Sequence, residues 1–466
     1  MTQLTSLPPE ILSLIFSNAD QKSQKALRLA NRQLGAIGQR DVFQTLSVCP
    51  TEESYGRLES ILQRADLVPY IDKIYLNTYD PRDPPESQYG EGEDVASRLF
   101  SYLKDMPYLK SVALRYHWEC PDDLYDDVMQ EESFRSEVMQ AGLKALAAIA
   151  GLEDLALRDM YNVNETDREA VANRNSILPR LRSLRLNITN VNRGMSGSSD
   201  YDRENPQTFF QELPSVWLKP CLSNLQHLTL YSSIYVGFYP KCDFRGLHFP
   251  NLKSLAFGNH TFIHDSQLDW ILSHAATLTG LYLDDCAIIH EASVFKDPAR
   301  SGQTLLPPDA FRDHPHLSEY KVYTSYATRW ADYFRAFQEK LVNLREFRYG
   351  HAPDWWSDET TPFESEQKIR IGFGRESYLV FFHGILPSEY TDHMYWEIPK
   401  EAGTDTGAAT GTRSRRDAFD YVDGERLEAS EDDKRALHEL CEKLRVSRVP
   451  LSEWDEDNHI DGFVEV

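Results

Sequence analysis

Several groups of reactive residues come close to known catalytic or ligand-binding spacings, and each falls short. "GMSGS" at 194–198 approaches the Gly-x-Ser-x-Gly turn that exposes a nucleophilic serine. Ser198 stands where the last glycine is needed, and the surroundings are low-complexity rather than a strand-to-helix junction. "GFGRES" at 372–377 has two glycines of a phosphate-cradling loop, but Ser377 replaces the third and no helical pattern follows. The histidines form no His-Glu-x-x-His pair, and Asp455, Asp457 and Asp461 lack the spacing and glycine of a calcium loop. The six cysteines, at 49, 120, 221, 242, 286 and 441, include no Cys-x-x-Cys pair and are sparse for a disulfide scaffold. The expectation is a binding protein and not an enzyme, with no catalytic residue, cofactor or metal.

Bulk properties narrow the partner. The chain has 466 residues, enough for two or three domains, and 41% of them are hydrophobic, as in a folded body. Its 73 acidic and 49 basic residues leave a net charge of −24. That excess disfavours nucleic acid or an anionic membrane as the main partner, though it allows a local basic patch. No apolar run approaches the roughly 18 residues that span a bilayer. "ILSLIF" has no positive leader and no small-residue cleavage site, so it does not read as a signal peptide. A cytoplasmic or nuclear protein with reduced thiols is expected.

The elements that would present a binding surface begin at the N-terminus. Leu7, Pro8, Ile11, Leu12, Ile15 and Phe16 fall on a broad helical stripe that a proline could start. "SQKALRLANRQLGAI" reads as a second helix with Ala26, Leu27, Ala30, Leu34 and Ile37 on one face, and Val42, Phe43 and Leu46 close the segment. These residues could pack as a hairpin on the rest of the chain or meet a partner.

The order "LPPEIL..IF", "ALRLANRQL", "DVFQTLSV" resembles the F-box, especially the form found in fungal F-box proteins, over residues 4 to 48. Gln24 stands where that family usually has leucine, and Ala30 where it has valine or cysteine. The resemblance implies docking on a Skp-type adaptor and, through it, a cullin ubiquitin ligase. It assigns the adaptor-facing surface to Leu7, Pro8, Ile11, Leu12 and Ile15, with Leu27 and Leu29 from the second helix.

The remainder repeats one pattern, apolar-x-x-apolar-x-apolar. Copies start at 71, 109, 152, 181, 225, 252, 278, 317 and 344, and Pro69, Pro107, Pro179, Pro250 and Pro315 each precede a copy by two residues. Spacing is irregular, from 26 residues (252 to 278) to 44 (181 to 225), with amphipathic helical stretches between copies. An ordinary α/β sheet also has leucine-rich strands, but its buried strands are usually apolar throughout, whereas here alternate positions are not. Together with the N-terminal segment, this resembles F-box proteins carrying degenerate leucine-rich repeats. The expected fold is α/β: a small helical F-box (1–48), then an irregular leucine-rich-repeat solenoid with closing strands (49–398), its parallel strands concave and its helices convex. A flexible loop (399–433) and a C-terminal helix with an acidic tail (434–466) follow. Exposed insertions are expected at 81–94 and 192–206.

In such strands the residue between the last two apolar positions, and the one after the motif, point into the concave face. Those columns hold Arg115, Arg158, Arg185, Lys321 and Arg348 with only Asp284 acidic, together with Tyr231, Tyr282 and Tyr323. They read either as ordinary solvated strand residues or as a basic, tyrosine-rich face for an acidic or phosphorylated client. The implied function is the substrate-recognition subunit of a Skp–cullin–F-box ligase; a scaffold of the same architecture acting outside a ligase is the alternative.

Overall fold

The computed structural model describes residues 7–19, 21–80, 92–118, 130–190, 200–297, 302–352, 366–383, 388–399, 419–446 and 464–465. The "GMSGS" stretch, Asp455, Asp457, Asp461, and most of the 81–94 insertion and the acidic tail lie outside them. The fold is mixed α/β with mostly parallel strands, and the chain divides into two compact units. Residues up to Arg185 belong chiefly to the first and those from Leu186 to the second. No helix among the described residues is long and apolar enough to cross a membrane.

The first unit opens with four short helices: α1 (Pro9–Ser17), α2 (Gln21–Ala30), α3 (Arg32–Ile37) and α4 (Gln39–Phe43). The single second helix expected from the sequence is two. Asn31 breaks it, because its side chain accepts a hydrogen bond from the Gln33 amide (2.7 Å) and caps α3 instead of continuing α2. Gln24, polar where the resemblance predicts leucine, donates to the carbonyls of Phe16 (2.9 Å) and Ala19 (3.0 Å), satisfying the open end of α1. Gly38 lets the chain pass over Phe16, since a Cβ there would sit 2.1 Å from the ring.

Strands β1 (Thr45–Val48), β2 (Lys73–Asn77), β3 (Ser111–Arg115) and β4 (Asp154–Tyr161) pair in that order, all parallel. The apolar columns stack in register, Ile74 beside Val112 beside Leu155, and Leu76 beside Leu114 beside Leu157. All six are at most 1% exposed. Helices α5 (Glu52–Leu62), α6 (Gly92–Ser101), α7 (Glu132–Ala147) and α8 (Arg168–Ile177) connect the strands. Gly142 brings α7 against Phe100 and Leu114, so the helices cover the leucine face.

Strand β5 (Ser183–Thr189) crosses from the first unit to the second. In the second unit, after α9 (Glu204–Leu213), come β6 (His227–Ser232), β7 (Ser254–Gly258), β8 (Thr261–Phe262), α10 (Asp265–Leu272) and β9 (Gly280–Asp284). They are followed by β10 (Ala287–Phe295), β11 (Lys321–Ser325), α11 (Trp330–Lys340), β12 (Glu346–His351) and β13 (Arg370–Phe373). Strands β6, β7, β9 and β12 are parallel neighbours, again with their apolar columns in register, and β13 closes antiparallel on β12. At the start of these strands one backbone detail recurs in both units. A single carbonyl (Gln44, Asp72, Lys110, Glu153, Gln226, Lys253, Thr279) accepts two consecutive amides, those of the residue before the next strand and of that strand's first residue, at 2.7–3.1 Å.

Three expectations need correction here. The copy at 317 does not join the parallel row: β11 pairs antiparallel with β10 in a separate sheet. Tyr320, its second apolar position, is 58% exposed, so the segment lacks the buried leucine that holds the others in register. Of the one or two closing strands expected before residue 398, β13 does join the row, but 378–382 forms β14 (Tyr378–Phe382) in that separate sheet, parallel to β10, with β15 (Glu389–Thr391) beyond it. Its core is Phe238, Tyr239, Ile289, Val294, Leu379 and Phe381. The span 399–433, expected to be a flexible loop, contains β17 (Phe419–Asp423), which pairs antiparallel with β16 (Tyr395–Pro399); residues 400–418 lie outside the described ones. Helix α12 (Glu431–Leu444) starts three residues before its expected boundary, and β18 (Val464–Glu465) pairs with β13.

Candidate partner-binding surfaces

Helices α1 and α3 hold a very small core, Leu12, Phe16 and Leu34, with Leu7, Leu27 and Ile37 partly buried against it. Leu12, expected on the adaptor-facing surface, is fully buried and is the centre of that core, because it sits on the α1 face turned toward Leu34. Leu7, Ile15 and Leu27 are half-buried and Pro8 is exposed. Ile11 is 44% exposed, Leu14 59% and Leu29 81%, large apolar side chains that the unit leaves in water. Leu14 was missed because the sequence gives no way to tell the solvent side of so short a helix.

On the first unit's strands, Arg115 and Arg158 stand side by side in register. Both were expected to face solvent, and both are buried (7% and 2% exposed). Asp159 lies between them, 3.9 Å from Arg115 Nε and 3.5 Å from Arg158 Nε, and the Arg115 guanidinium lies over the Tyr79 ring. Burial lifts the Asp159 carboxyl above its ordinary range, with the arginines opposing. Arg135 donates to the carbonyls of Asp159 (2.9 Å) and His117 (2.6 Å), tying α7 to the strand ends. Burial, then the charges of Arg135 and Arg115, depress the His117 imidazole to about 4, so it is neutral. These cations serve structure. Arg185 is the partly exposed one.

The second unit's strand face is also covered, and by an identifiable segment. Tyr231 lies flat across Gly258, where a Cβ would come 2.4 Å from its ring, and its hydroxyl donates to Asp284 Oδ2 at 3.0 Å. Asp284 Oδ1 accepts from the Ala352 amide (2.9 Å), and burial raises its carboxyl well above the ordinary value. Tyr282 donates to Glu346; burial, then that hydrogen bond, pushes its phenol up. Across this surface runs Glu366–Ile369. Thr229 Oγ1 donates to Glu366 (3.2 Å), Arg348 Nε to Gln367 (3.2 Å) and Arg348 Nη1 to the Ile369 carbonyl (3.0 Å). Tyr231, Tyr282 and Arg348 are at most 5% exposed, correcting the expectation of an open face.

Lys321 and Tyr323 belong to the separate sheet and share no row with the other columns. Lys321 is 1% exposed and pairs with Glu397, its ammonium 4.0 Å from the Phe382 ring centroid. Burial opposes ionisation of Glu397, but Lys321 and Ser318 hold its carboxyl below the ordinary range. Tyr323 donates to Glu291. At the glycine-rich stretch, Gly372 lies in β13, and a single turn, Arg375–Ser377, leads straight into β14. The helix that a phosphate-cradling loop needs is absent there.

No protein-family profile and no curated protein matches the chain. Among solved structures, one similar protein is from Bacteroides fragilis, at 12% identity and a TM-score of 0.25, with the match covering 52% of this chain and 68% of that one.

Proposed function

We propose that the chain is the substrate-recognition subunit of a Skp–cullin–F-box ubiquitin ligase, its helical N-terminus an F-box and its strand units a degenerate leucine-rich-repeat solenoid that holds a client. The observation that carries this reading is the exposure of Ile11, Leu14 and Leu29 on helices α1 and α2, beside a core cluster of only Leu12, Phe16 and Leu34. Apolar side chains in excess of what so small a unit can bury support a partner of matching apolar surface. In-register apolar columns and the recurring shared carbonyl support the repeat reading.

The test is capture of a Skp-type adaptor by the full chain and by Ile11→Asp. Because Ile11 is exposed, the variant keeps its folded stability, and a charge at the centre of an apolar interface abolishes capture. Undiminished capture rejects the F-box reading. Co-purification of a cullin separates a ligase subunit from a scaffold that acts outside one.

A further inference from the structure

We propose that the Glu366–Ile369 segment is a built-in occupant of the second unit's strand face, and that a partner protein's segment of like chemistry takes its place. This rests on the reading that the strand face holds a client; it adds what kind of segment fits and what must leave first.

The segment is attached as a ligand would be. Its contacts reach three different strands: Thr229 on β6, Tyr282 on β9 and Arg348 on β12. Gln367 bridges Arg348 to Glu346, accepting from the first at 3.2 Å and donating to the second at 2.8 Å. Arg348 also grips the backbone at the Ile369 carbonyl, and the Ile369 side chain is fully buried. Gln367 and Lys368 remain exposed, and the segment forms only a single turn, Glu366–Lys368. Side-chain hydrogen bonds to an exposed turn are the kind that opens locally without global unfolding.

The face beneath is shaped for a chain lying on it. The Tyr231 ring, pinned to Asp284, lies across Gly258 instead of standing up from the face, and Ala256 beside it is small and buried. The recognised pattern is a carboxylate, then a carboxamide that accepts from Arg348 and donates to Glu346, an exposed residue, and an apolar anchor whose carbonyl accepts from Arg348. A tethered occupant acts at an effective concentration of the order of millimolar, so a free copy competes poorly until the tether's grip is weakened.

The probe is a labelled peptide, FESEQKI, copying residues 363–369, followed by fluorescence anisotropy against the full-length protein. The expected result is at least tenfold tighter binding to Glu366→Ala/Gln367→Ala than to wild type, abolished when Arg348→Ala is added. On wild type, saturating peptide speeds amide exchange at Gln367–Ile369 while leaving β9 and β12 protected; this second measurement needs no variant. Equal binding to all three proteins, or no change in exchange, overturns the proposal, as does Gln367-dependent dimerisation of wild type, which gives the face to a second copy. Adaptor capture depends on Ile11 and not on this face. Loss of peptide binding with capture intact removes this inference alone, and peptide binding without capture removes only the ligase.

Discussion

Tyr231, Gly258 and Asp284 show how one residue's size decides a neighbour's chemistry. Gly258 carries no side chain, so the Tyr231 ring lies across it and reaches Asp284, which is wholly buried. Gly258→Ala is expected to push the ring off this path at a cost of about 1–3 kcal/mol. Tyr231→Phe leaves Asp284 short of one donor at a similar cost. Urea unfolding of both variants checks this; a neutral Gly258→Ala would mean the ring has room that the structure does not give it. Asp284 also makes a signed pH prediction. Its folded carboxyl titrates well above the ordinary 3.8. Its contribution is complete below that value and is lost as pH rises toward the folded one. The stability of Asp284→Asn relative to wild type should therefore rise as pH climbs from about 4 to 8. Sequence reading placed Tyr231 and Asp284 in the right columns but gave them to solvent. A column assignment fixes the side of the strand, not whether a ring stands up or lies over an adjacent glycine.

Helix α12 illustrates an element held by its first turn. Ser430 caps it, and Asp433 accepts from the Ser430 amide (2.8 Å), the Ala331 amide (2.9 Å) and Arg329 (2.8 Å), so the N-termini of α11 and α12 share one buried carboxylate. Ala436, Leu437 and Leu440 bury the inner face. Burial opposes the charge, but Arg329 and Ser430 hold the Asp433 carboxyl below its ordinary value. Its stabilisation is present above the unfolded value of 3.8 and lost as pH falls through the lower, folded one. Asp433→Asn should cost about 1.5–3 kcal/mol. In hydrogen exchange it should expose the α12 amides while β9 and β12 stay protected; unchanged α12 protection would place the anchor elsewhere. The helix was legible from its heptad-like apolar spacing and acidic first turn. The separate sheet was not, because β10 and β14 carry no repeated motif and their order depends on contacts distant in sequence. Left-handed Asn259 and Asp285 each follow a repeat strand, and left-handed Asp159 lies in β4 just past its last pair with β3, an Asp/Asn signal that could have marked where the repeat pairing ends.

At the scale of the whole chain, charge is the property the sequence states most directly and the fold uses least evenly. The net charge is −24 and the isoelectric point about 5.0. The basic residues expected to form an attracting strip are largely spent inside, Arg115 and Arg158 on Asp159 and Lys321 on Glu397. The acidic excess is left to repel itself. Exposed pairs such as Arg57–Glu53 and Arg64–Asp66 contribute little and are screened readily, whereas a buried pair such as Lys321–Glu397 is screened little. Added salt therefore relieves repulsion more than it weakens attraction. Raising NaCl from about 20 to 300 mM at pH 7.5, where the Debye length contracts from about 20 to 6 Å, should raise the unfolding temperature by a few degrees. The same step should leave the ionic-strength dependence of Lys321→Met parallel to wild type, since that cation is not part of the screened surface. A falling transition temperature would mean that surface pairs, and not self-repulsion, govern the chain's response, and that its acidic face is organised rather than merely crowded.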